Sequence, residues 1–220
     1  MLGVKEIELL DATFHSDAKL LEEIQGVFSD NGLTIFSVGP HVNPLTDEKN
    51  RASRIEEFKH WTNMAADHGI PMYRVSLGGG KYTKPKMKPK KVDIAVDWTL
   101  EVLNPAVDYA ESRDVTLAIE THHQFSSNPE FQEKLLDKLP SKNLGFAFDI
   151  GNYETDKLRW TSLDVLIKKK AIKYVHAKAY KFNKSGLETT LDYPRAVKFI
   201  HDAGLDITFP SNGRGDVQDR

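Results

Sequence analysis

Short apolar runs alternate with amphipathic stretches along nearly the whole chain. The runs are rich in Val, Ile, Leu and Phe, as expected for strands that are covered on both faces of a sheet. They cover residues 5–11, 33–39, 72–78, 115–121, 144–150, 172–178 and 206–209. This alternation predicts seven strands joined by helical crossovers, which is typical of a parallel barrel or of an open, doubly wound sheet.

The stretches between the runs have the spacing and the end signals of helices. They cover residues 16–32, 51–69, 92–114, 128–139, 162–171 and 192–204. Ser16 is a candidate N-cap of the first helix, Gly69 suits the position after the second, and Pro194 suits the first turn of the last. Pro105 lies inside the third stretch, so we expect a kink or a break there.

Three of the predicted strands end in a residue that can bind a metal. Glu120 ends VTLAIE, Asp149 ends LGFAFD and His176 ends IKYVH. The gaps of 149 − 120 = 29 and 176 − 149 = 27 residues each suit one strand–helix unit. Ligands bind at the carboxyl ends of parallel strands, and a barrel gathers all of these ends around one mouth. The pattern therefore favours a (β/α) barrel with an oxygen and nitrogen site for a divalent cation.

Composition and charge narrow the functional classes. The 220 residues suit a single domain, which we take to span residues 1–220. The 30 Lys and Arg residues and 32 Asp and Glu residues leave a net charge of −2, which argues against a general nucleic-acid or membrane-surface binder. Cysteine is absent, so thiolate metal sites are excluded. We see no signal peptide and no membrane span, so we expect a cytoplasmic protein.

One segment interrupts the alternation. Residues 78–91, GGGKYTKPKMKPKK, contain three glycines, two prolines and six lysines, a composition that excludes regular structure. The segment is either a solvated loop or an anion-attracting flap over the mouth, because it follows the carboxyl end of a predicted strand.

Four motifs, LAIETHH, FAFDIGNY, YVHAKAY and GRGD, together resemble the sugar phosphate isomerase/epimerase family. That family belongs to the xylose isomerase-like TIM barrels, a superfamily that also includes endonuclease IV-type enzymes. Residues 3–9 resemble the second strand of the family, and residues 37–45 resemble its third. Nothing corresponds to the first strand or to the last helix. The resemblance therefore implies an α/β, TIM-type barrel that is truncated at both ends and has seven recognisable strands.

The resemblance implies that Glu120, Asp149 and His176 hold a divalent metal ion, which could be Mn²⁺, Mg²⁺, Co²⁺ or Zn²⁺. In the family, a Glu after the eighth strand is the fourth ligand, and here that position falls on Pro210, which cannot bind a metal. Either the site has three protein ligands or this end of the chain is altered. Carboxylates after strands also serve as helix caps or salt-bridge partners, so a polar mouth without a metal is the competing interpretation.

Other polar residues near the predicted mouth are candidates for contact with a substrate. His122 matches a Glu-x-His pattern of the family, and Lys178 leaves the same strand face as His176 and could hold an anionic group. A salt bridge is the alternative for Arg74. The candidate substrate-binding residues are His122, Lys178, His41, Arg74 and Asn152. Turn-shaping roles are the alternative for His41 and Asn152, Glu8 is a weaker candidate of the same kind as Arg74, and His123 is expected to be structural or exposed.

The activity that the resemblance implies is metal-dependent isomerisation or epimerisation, or a related elimination, of a small sugar or polyhydroxylated carbonyl compound. Such reactions remove a proton next to a carbonyl, and Glu120 would be the base. Because the second base of the family falls on Pro210, a relative that binds a sugar-like ligand without turnover is an alternative. An endonuclease IV-like phosphodiesterase is a minor one. Dimers are common in the family, which makes a homodimer a further expectation.

Overall fold

The structure is a computed structural model that describes residues 5–78, 92–122 and 124–204 and the backbone of residues 211–212. Its strands form one parallel sheet in which each strand pairs with the next along the chain. The strands are β1 (Glu6–Leu10), β2 (Thr34–Gly39), β3 (Met72–Val75), β4 (Thr116–Glu120), β5 (Leu144–Asp149), β6 (Ile172–Lys178) and β7 (Ser211–Asn212). This order is that of a barrel, since a doubly wound sheet would reverse its order at a switch point. The predicted TIM-type barrel topology is therefore confirmed; within the described residues, β1 and β7 do not pair.

Helices connect the strands on the outside of the sheet. Within the described residues they are α1 (Asp11–Phe14), α2 (Ala18–Asp30), α3 (Arg51–Asp67), α4 (Val92–Ser112), α5 (Pro129–Lys138), α6 (Asp156–Lys168) and α7 (Tyr193–Asp202). A 3₁₀ turn, Glu48–Asn50, precedes α3. None of these helices is long and apolar enough to cross a membrane. All six predicted helices are observed, while α1 and the 3₁₀ turn were not predicted.

Several predicted boundaries were wrong for local reasons. The N-cap of α2 is Asp17 and not Ser16, because the Asp17 carboxylate accepts hydrogen bonds from two backbone N–H groups of the first turn. Helix α6 begins six residues before the predicted position, where Thr155 caps it with a hydrogen bond from the N–H of Leu158. The strand predicted at 206–209 lies outside the described residues, and β7 follows it.

Pro105 does not break α4, which runs from Val92 to Ser112 as one helix. Residues on both sides of the proline, Val102, Leu103, Ala106 and Val107, are buried against the rest of the core. A proline inside a helix costs roughly 3 kcal/mol. We infer that burial of several apolar side chains per turn outweighs that local cost.

Two apolar clusters lie on the two faces of the sheet. The larger cluster fills the space between the sheet and the helices. The smaller one contains Phe36, Ala118, Ala147 and Tyr174 and lies on the inner face. Successive side chains of a strand point to opposite faces, so a residue two positions further along shares the same face. The inner cluster is therefore an apolar floor directly below Glu120, Asp149 and His176.

Strand register places the polar strand ends side by side. Asp149 pairs with His176 across β5 and β6, and Glu120 pairs with Ala147 across β4 and β5. Gly145 allows β5 and β6 to approach, because a Cβ there would lie only 2.4 Å from the backbone oxygen of Ala171.

Candidate metal centre

Glu120, Asp149 and His176 meet at the carboxyl ends of three neighbouring strands. All three are buried, and each offers one ligand atom within 4.8 Å of the others. This is the one group of its kind in the described part of the chain. The sequence-based grouping of these residues thus agrees with the geometry, although their role as metal ligands stays a prediction.

Two buried atoms of this group have no hydrogen-bond partner among the described residues: Asp149 Oδ2 and His176 Nδ1. The Nδ1 atom lies 3.5 Å from Glu120 Oε1 and 3.8 Å from Asp149 Oδ2. A buried polar atom without a partner costs roughly 1–3 kcal/mol, so such atoms call for a physical explanation. A carboxylate oxygen and an imidazole nitrogen that face one another are suitable ligands for a divalent cation, and the site fits one.

The Asp149 carboxylate is held by one oxygen only. The N–H of Gly151 donates to Oδ1 at 2.8 Å, and the N–H of Asp149 itself donates to Thr121 Oγ1 at 2.8 Å. Burial raises the pKa of Asp149, and the charges of Lys178 and His176 counter that effect only in part. A bound cation would favour the ionised form that burial disfavours.

The imidazole of His176 is held at its other nitrogen. Nε2 lies 2.7 Å from Glu8 Oε2. Burial lowers the pKa of His176, but the hydrogen bond to Glu8 and the charges of the nearby Glu8 and Glu120 carboxylates outweigh it and raise the pKa to about 9. A proton therefore occupies the ring near neutral pH, and a divalent cation would have to displace it.

Glu120 is the most strongly ionised carboxylate of the group. Its Oε2 accepts a hydrogen bond from Arg74 Nη1 at 2.6 Å and lies 3.5 Å from His122 Nδ1. Burial raises the pKa of Glu120. A hydrogen bond with His122, the nearby His176 ring and the charge of Arg74 outweigh burial and hold the pKa well below its usual range. Such a carboxylate is a good ligand but a weak acceptor of a proton.

Arg74 lies inside the sheet and pairs with two carboxylates. Besides its bond to Glu120, its Nε lies 3.1 Å from Glu8 Oε1. Gly39 at the end of β2 leaves room for the guanidinium, since a Cβ there would lie 3.0 Å from Nη2. The salt bridge considered as the alternative for Arg74 is thus present, and contact with a substrate stays a prediction.

Lys178 and Asn152 form a second polar pair beside the group. Lys178 Nζ donates to Asn152 Oδ1 at 2.5 Å and lies 3.6 Å from Asp149 Oδ2. The Lys178 side chain is 17 % exposed, whereas Asn152 Nδ2 is buried and has no hydrogen-bond partner among the described residues. The absence of a side chain at Gly151 leaves room for Lys178, because a Cβ there would lie 2.7 Å from Lys178 Cδ.

The remaining candidates differ in position. His122 is exposed but close to Glu120, as given above. His41 is exposed at the end of β2, and no hydrogen bond or ion pair of the described residues joins it to the group. His123, Pro210 and all of the lysine-rich segment except Gly78 lie outside the described residues.

Glu8 was only a weaker sequence-based candidate, and Tyr174 was not predicted at all. Both belong to the inner face, where Tyr174 Oη donates to Glu8 Oε1 at 3.0 Å. The signal for Tyr174 was present, because Tyr174, His176 and Lys178 follow the two-residue spacing of one strand face. Glu8 gave a weaker signal, since its partner His176 is 168 residues away.

Comparison with known proteins identifies the family and the fold. The sequence matches a family model described as xylose isomerase-like TIM barrel over residues 1–209. No curated protein matches the sequence. A D-tagatose 3-epimerase-like protein has a similar solved structure, with a TM-score of 0.77 and 19 % identity, over 94 % of this chain and 80 % of that one.

Two further solved structures are similar. A xylose isomerase-like TIM barrel protein from Mycobacterium smegmatis, in complex with magnesium, has a TM-score of 0.69 and 16 % identity, over 98 % of this chain and 79 % of that one. D-psicose 3-epimerase from Clostridium cellulolyticum H10, with D-tagatose, has a TM-score of 0.75 and 14 % identity, over 96 % of this chain and 75 % of that one. At these identities the likeness shows the fold alone.

Proposed function

The chain belongs to the xylose isomerase-like TIM barrel family, and on that premise we propose that it is a metal-dependent isomerase or epimerase, or a related lyase. The substrate would be a small sugar or another polyhydroxylated carbonyl compound. The observation that carries the proposal is the pair of buried atoms, Asp149 Oδ2 and His176 Nδ1, that lack a hydrogen-bond partner among the described residues and lie beside the Glu120 carboxylate. Similar structures of a D-tagatose 3-epimerase-like protein and of D-psicose 3-epimerase with D-tagatose support the substrate class.

Glu120, Asp149 and His176 would hold the cation. Carboxylate and imidazole ligands suit Mn²⁺, Mg²⁺, Co²⁺ and Zn²⁺, and one similar structure contains magnesium. When bound, the cation would supply positive charge that stabilises the negative charge developing on the oxygens of the substrate as a neighbouring C–H proton is removed.

Glu120 is the proposed base. Its low pKa makes it a weak one, so a proton taken from carbon would have to leave it quickly. In the tautomer that carries hydrogen on Nε2, His122 can accept that proton at Nδ1, which lies 3.5 Å from Glu120 Oε2, and its ring is exposed to solvent. Substitution of His122 by Gln should therefore lower the turnover rate more than it weakens substrate binding.

Lys178 and Asn152 would orient the substrate. The ammonium of Lys178 can hold a hydroxyl or an anionic group, and Asn152 Nδ2 has a hydrogen to donate. Arg74 and His41 stay candidate contacts of the same substrate. Cytoplasmic location and assembly as a homodimer stay predictions.

Titration of metal-free protein with Mn²⁺ by calorimetry tests the metal site. We expect one ion per chain, and at least about tenfold weaker binding after Asp149→Asn or Glu120→Gln. Asp149→Asn can keep the Oδ1 that accepts from Gly151 while Oδ2 becomes an amide nitrogen. Asp164→Asn is the matched control, because it removes the same charge from an exposed carboxylate of α6. Equal affinity in all four proteins would refute the site.

A second candidate function is a relative that binds a sugar without turnover. The Arg74–Glu120 bond at 2.6 Å favours it, because it leaves the proposed base with little affinity for a proton. Incubation of the Mn²⁺-loaded protein with D-tagatose in D₂O separates the two. Exchange of a carbon-bound hydrogen for deuterium indicates proton abstraction, whereas binding without exchange supports the second function.

A further inference from the structure

Glu8, on β1, makes more contacts on the inner face than sequence analysis predicted. Its side chain is 7 % exposed, and its two oxygens face three different partners. Oε1 accepts from Tyr174 Oη at 3.0 Å and lies 3.1 Å from Arg74 Nε, and Oε2 lies 2.7 Å from His176 Nε2. We propose that Glu8 is a positioning residue that makes Nδ1 the metal-binding nitrogen of His176. The inference rests on the proposed metal site.

The hydrogen-bonding chemistry of the two side chains supports this assignment. A neutral imidazole carries one N–H and one lone pair, and an ionised carboxylate can only accept. At 2.7 Å from Glu8 Oε2, His176 Nε2 must therefore carry the hydrogen. Once a cation displaces the second ring proton, the lone pair of the neutral ring is then on Nδ1, the atom that faces the carboxylates of Glu120 and Asp149. Histidine ligands commonly donate their second ring N–H to a carboxylate in this way, which fixes the ring and its tautomer.

The other contacts of Glu8 fix its own position. Tyr174 and Arg74 hold Oε1, so Oε2 is left for His176. Because β1 and β6 are not neighbours in the sheet, the bond crosses the inner face. Glu8 thus orients a ligand on a strand with which its own strand does not pair.

A purely structural role, as a counter-charge for Arg74, is the competing explanation. The variants Glu8→Gln and Glu8→Leu separate the two roles. Gln keeps the size of the side chain, but its amide can either accept from or donate to His176 Nε2, so it no longer dictates the tautomer. Leu removes every polar contact. Tyr174→Phe is the matched control, because it removes one hydrogen bond of Glu8 and leaves the bond to His176.

Two measurements are needed. Calorimetric titration with Zn²⁺ gives the affinity, and ¹⁵N–¹H correlation spectra of the Zn²⁺-loaded protein show which nitrogen of His176 carries hydrogen. We expect hydrogen on Nε2 in the unaltered chain, a loss of affinity of roughly 10–100-fold for Glu8→Leu, and a smaller loss for Glu8→Gln. Tyr174→Phe should bind within about threefold of the unaltered chain, because it leaves the Glu8–His176 bond intact.

The outcomes separate this inference from the proposed function. Binding through Nε2, or unchanged affinity and tautomer in both Glu8 variants, would overturn the role of Glu8 and leave the metal site standing. Absence of binding by the unaltered chain would overturn both. Thermal unfolding in the presence of a chelator identifies a variant that fails to fold. If Glu8→Leu fails to fold, the affinity and tautomer of Glu8→Gln, the smaller change, decide whether Glu8 has the proposed role.

Discussion

Replacement of Arg74 by methionine should destabilise the metal-free protein and make its stability depend strongly on a divalent cation. Methionine keeps much of the length of the side chain and removes the charge. Arg74 lies 2.6 Å from a Glu120 oxygen and 3.1 Å from a Glu8 oxygen, and the two glutamate side chains are only 5 % and 7 % exposed. The substitution therefore leaves two buried carboxylates with His176 as their remaining nearby positive charge.

The expected magnitude follows from that geometry. Removal of one partner of a buried ion pair costs about 3–5 kcal/mol. Because His176 contacts both glutamates, we expect the lower part of that range, about 3 kcal/mol. For a chain of this size, that corresponds to a melting temperature lower by roughly 6–12 °C.

A divalent cation should restore part of this loss. A ligand at 100 times its Kd stabilises the folded state by about 2.7 kcal/mol. Since Arg74 no longer neutralises Glu120, the variant should bind the cation more tightly than the unaltered chain. The gain in stability with Mn²⁺ should therefore be larger in the variant.

Urea unfolding, followed by tryptophan fluorescence with chelator or with Mn²⁺, measures both effects. Arg113→Met is the control, because Arg113 forms an ion pair with Asp67 that is largely exposed. It should cost about 1 kcal/mol or less and show no extra response to Mn²⁺. In chelator, a loss of unfolding free energy in Arg74→Met no larger than in this control would refute the prediction. So would a stabilisation of Arg74→Met by Mn²⁺ no larger than that of the unaltered chain.

Three further predictions concern two glycines and Glu188. Gly26→Ala should stabilise the protein by about 0.5–1 kcal/mol, because Gly26 is exposed in α2 and a Cβ there meets nothing within 4 Å. Gly145→Ala should destabilise it by roughly 1–3 kcal/mol, because the Cβ would lie 2.4 Å from a backbone oxygen; urea unfolding measures both, and equal signs would contradict the reasoning. Slight burial raises the pKa of Glu188, but hydrogen bonds from Thr190 and neighbouring backbone N–H groups outweigh it and lower the pKa from 4.5 to about 2. Because the folded pKa is the lower one, this stabilisation is complete above pH 4.5 and is lost as the pH falls toward 2. The protection of amides in the loop after β6, relative to their intrinsic exchange at each pH, should therefore fall over that interval, and an equal fall in Glu188→Gln would refute the assignment.

The sequence alone predicts the positions of six strands and the approximate extents of the helices between them. These features are local, because a strand covered on both faces requires a continuous apolar run and an amphipathic helix requires its own spacing. It also identified the three strand ends that meet at the candidate metal centre, since the carboxyl ends of parallel strands lie on the same side of a sheet. The unbroken helix at Pro105 was not predicted, because the packing of α4 outweighs the local tendency of proline to break a helix.

The pairing of the polar side chains depends on the tertiary structure and not on any local pattern. The bond between Glu8 and His176 joins residues 168 positions apart, and the bond between Arg74 and Glu120 joins residues 46 positions apart. Such contacts depend on strand order and register, which the hydrophobic pattern of one segment does not contain. For the same reason, the sequence indicated that His176 could bind a metal, whereas the structure distinguishes the ring nitrogen that is held by a carboxylate from the one that is left to face the cation.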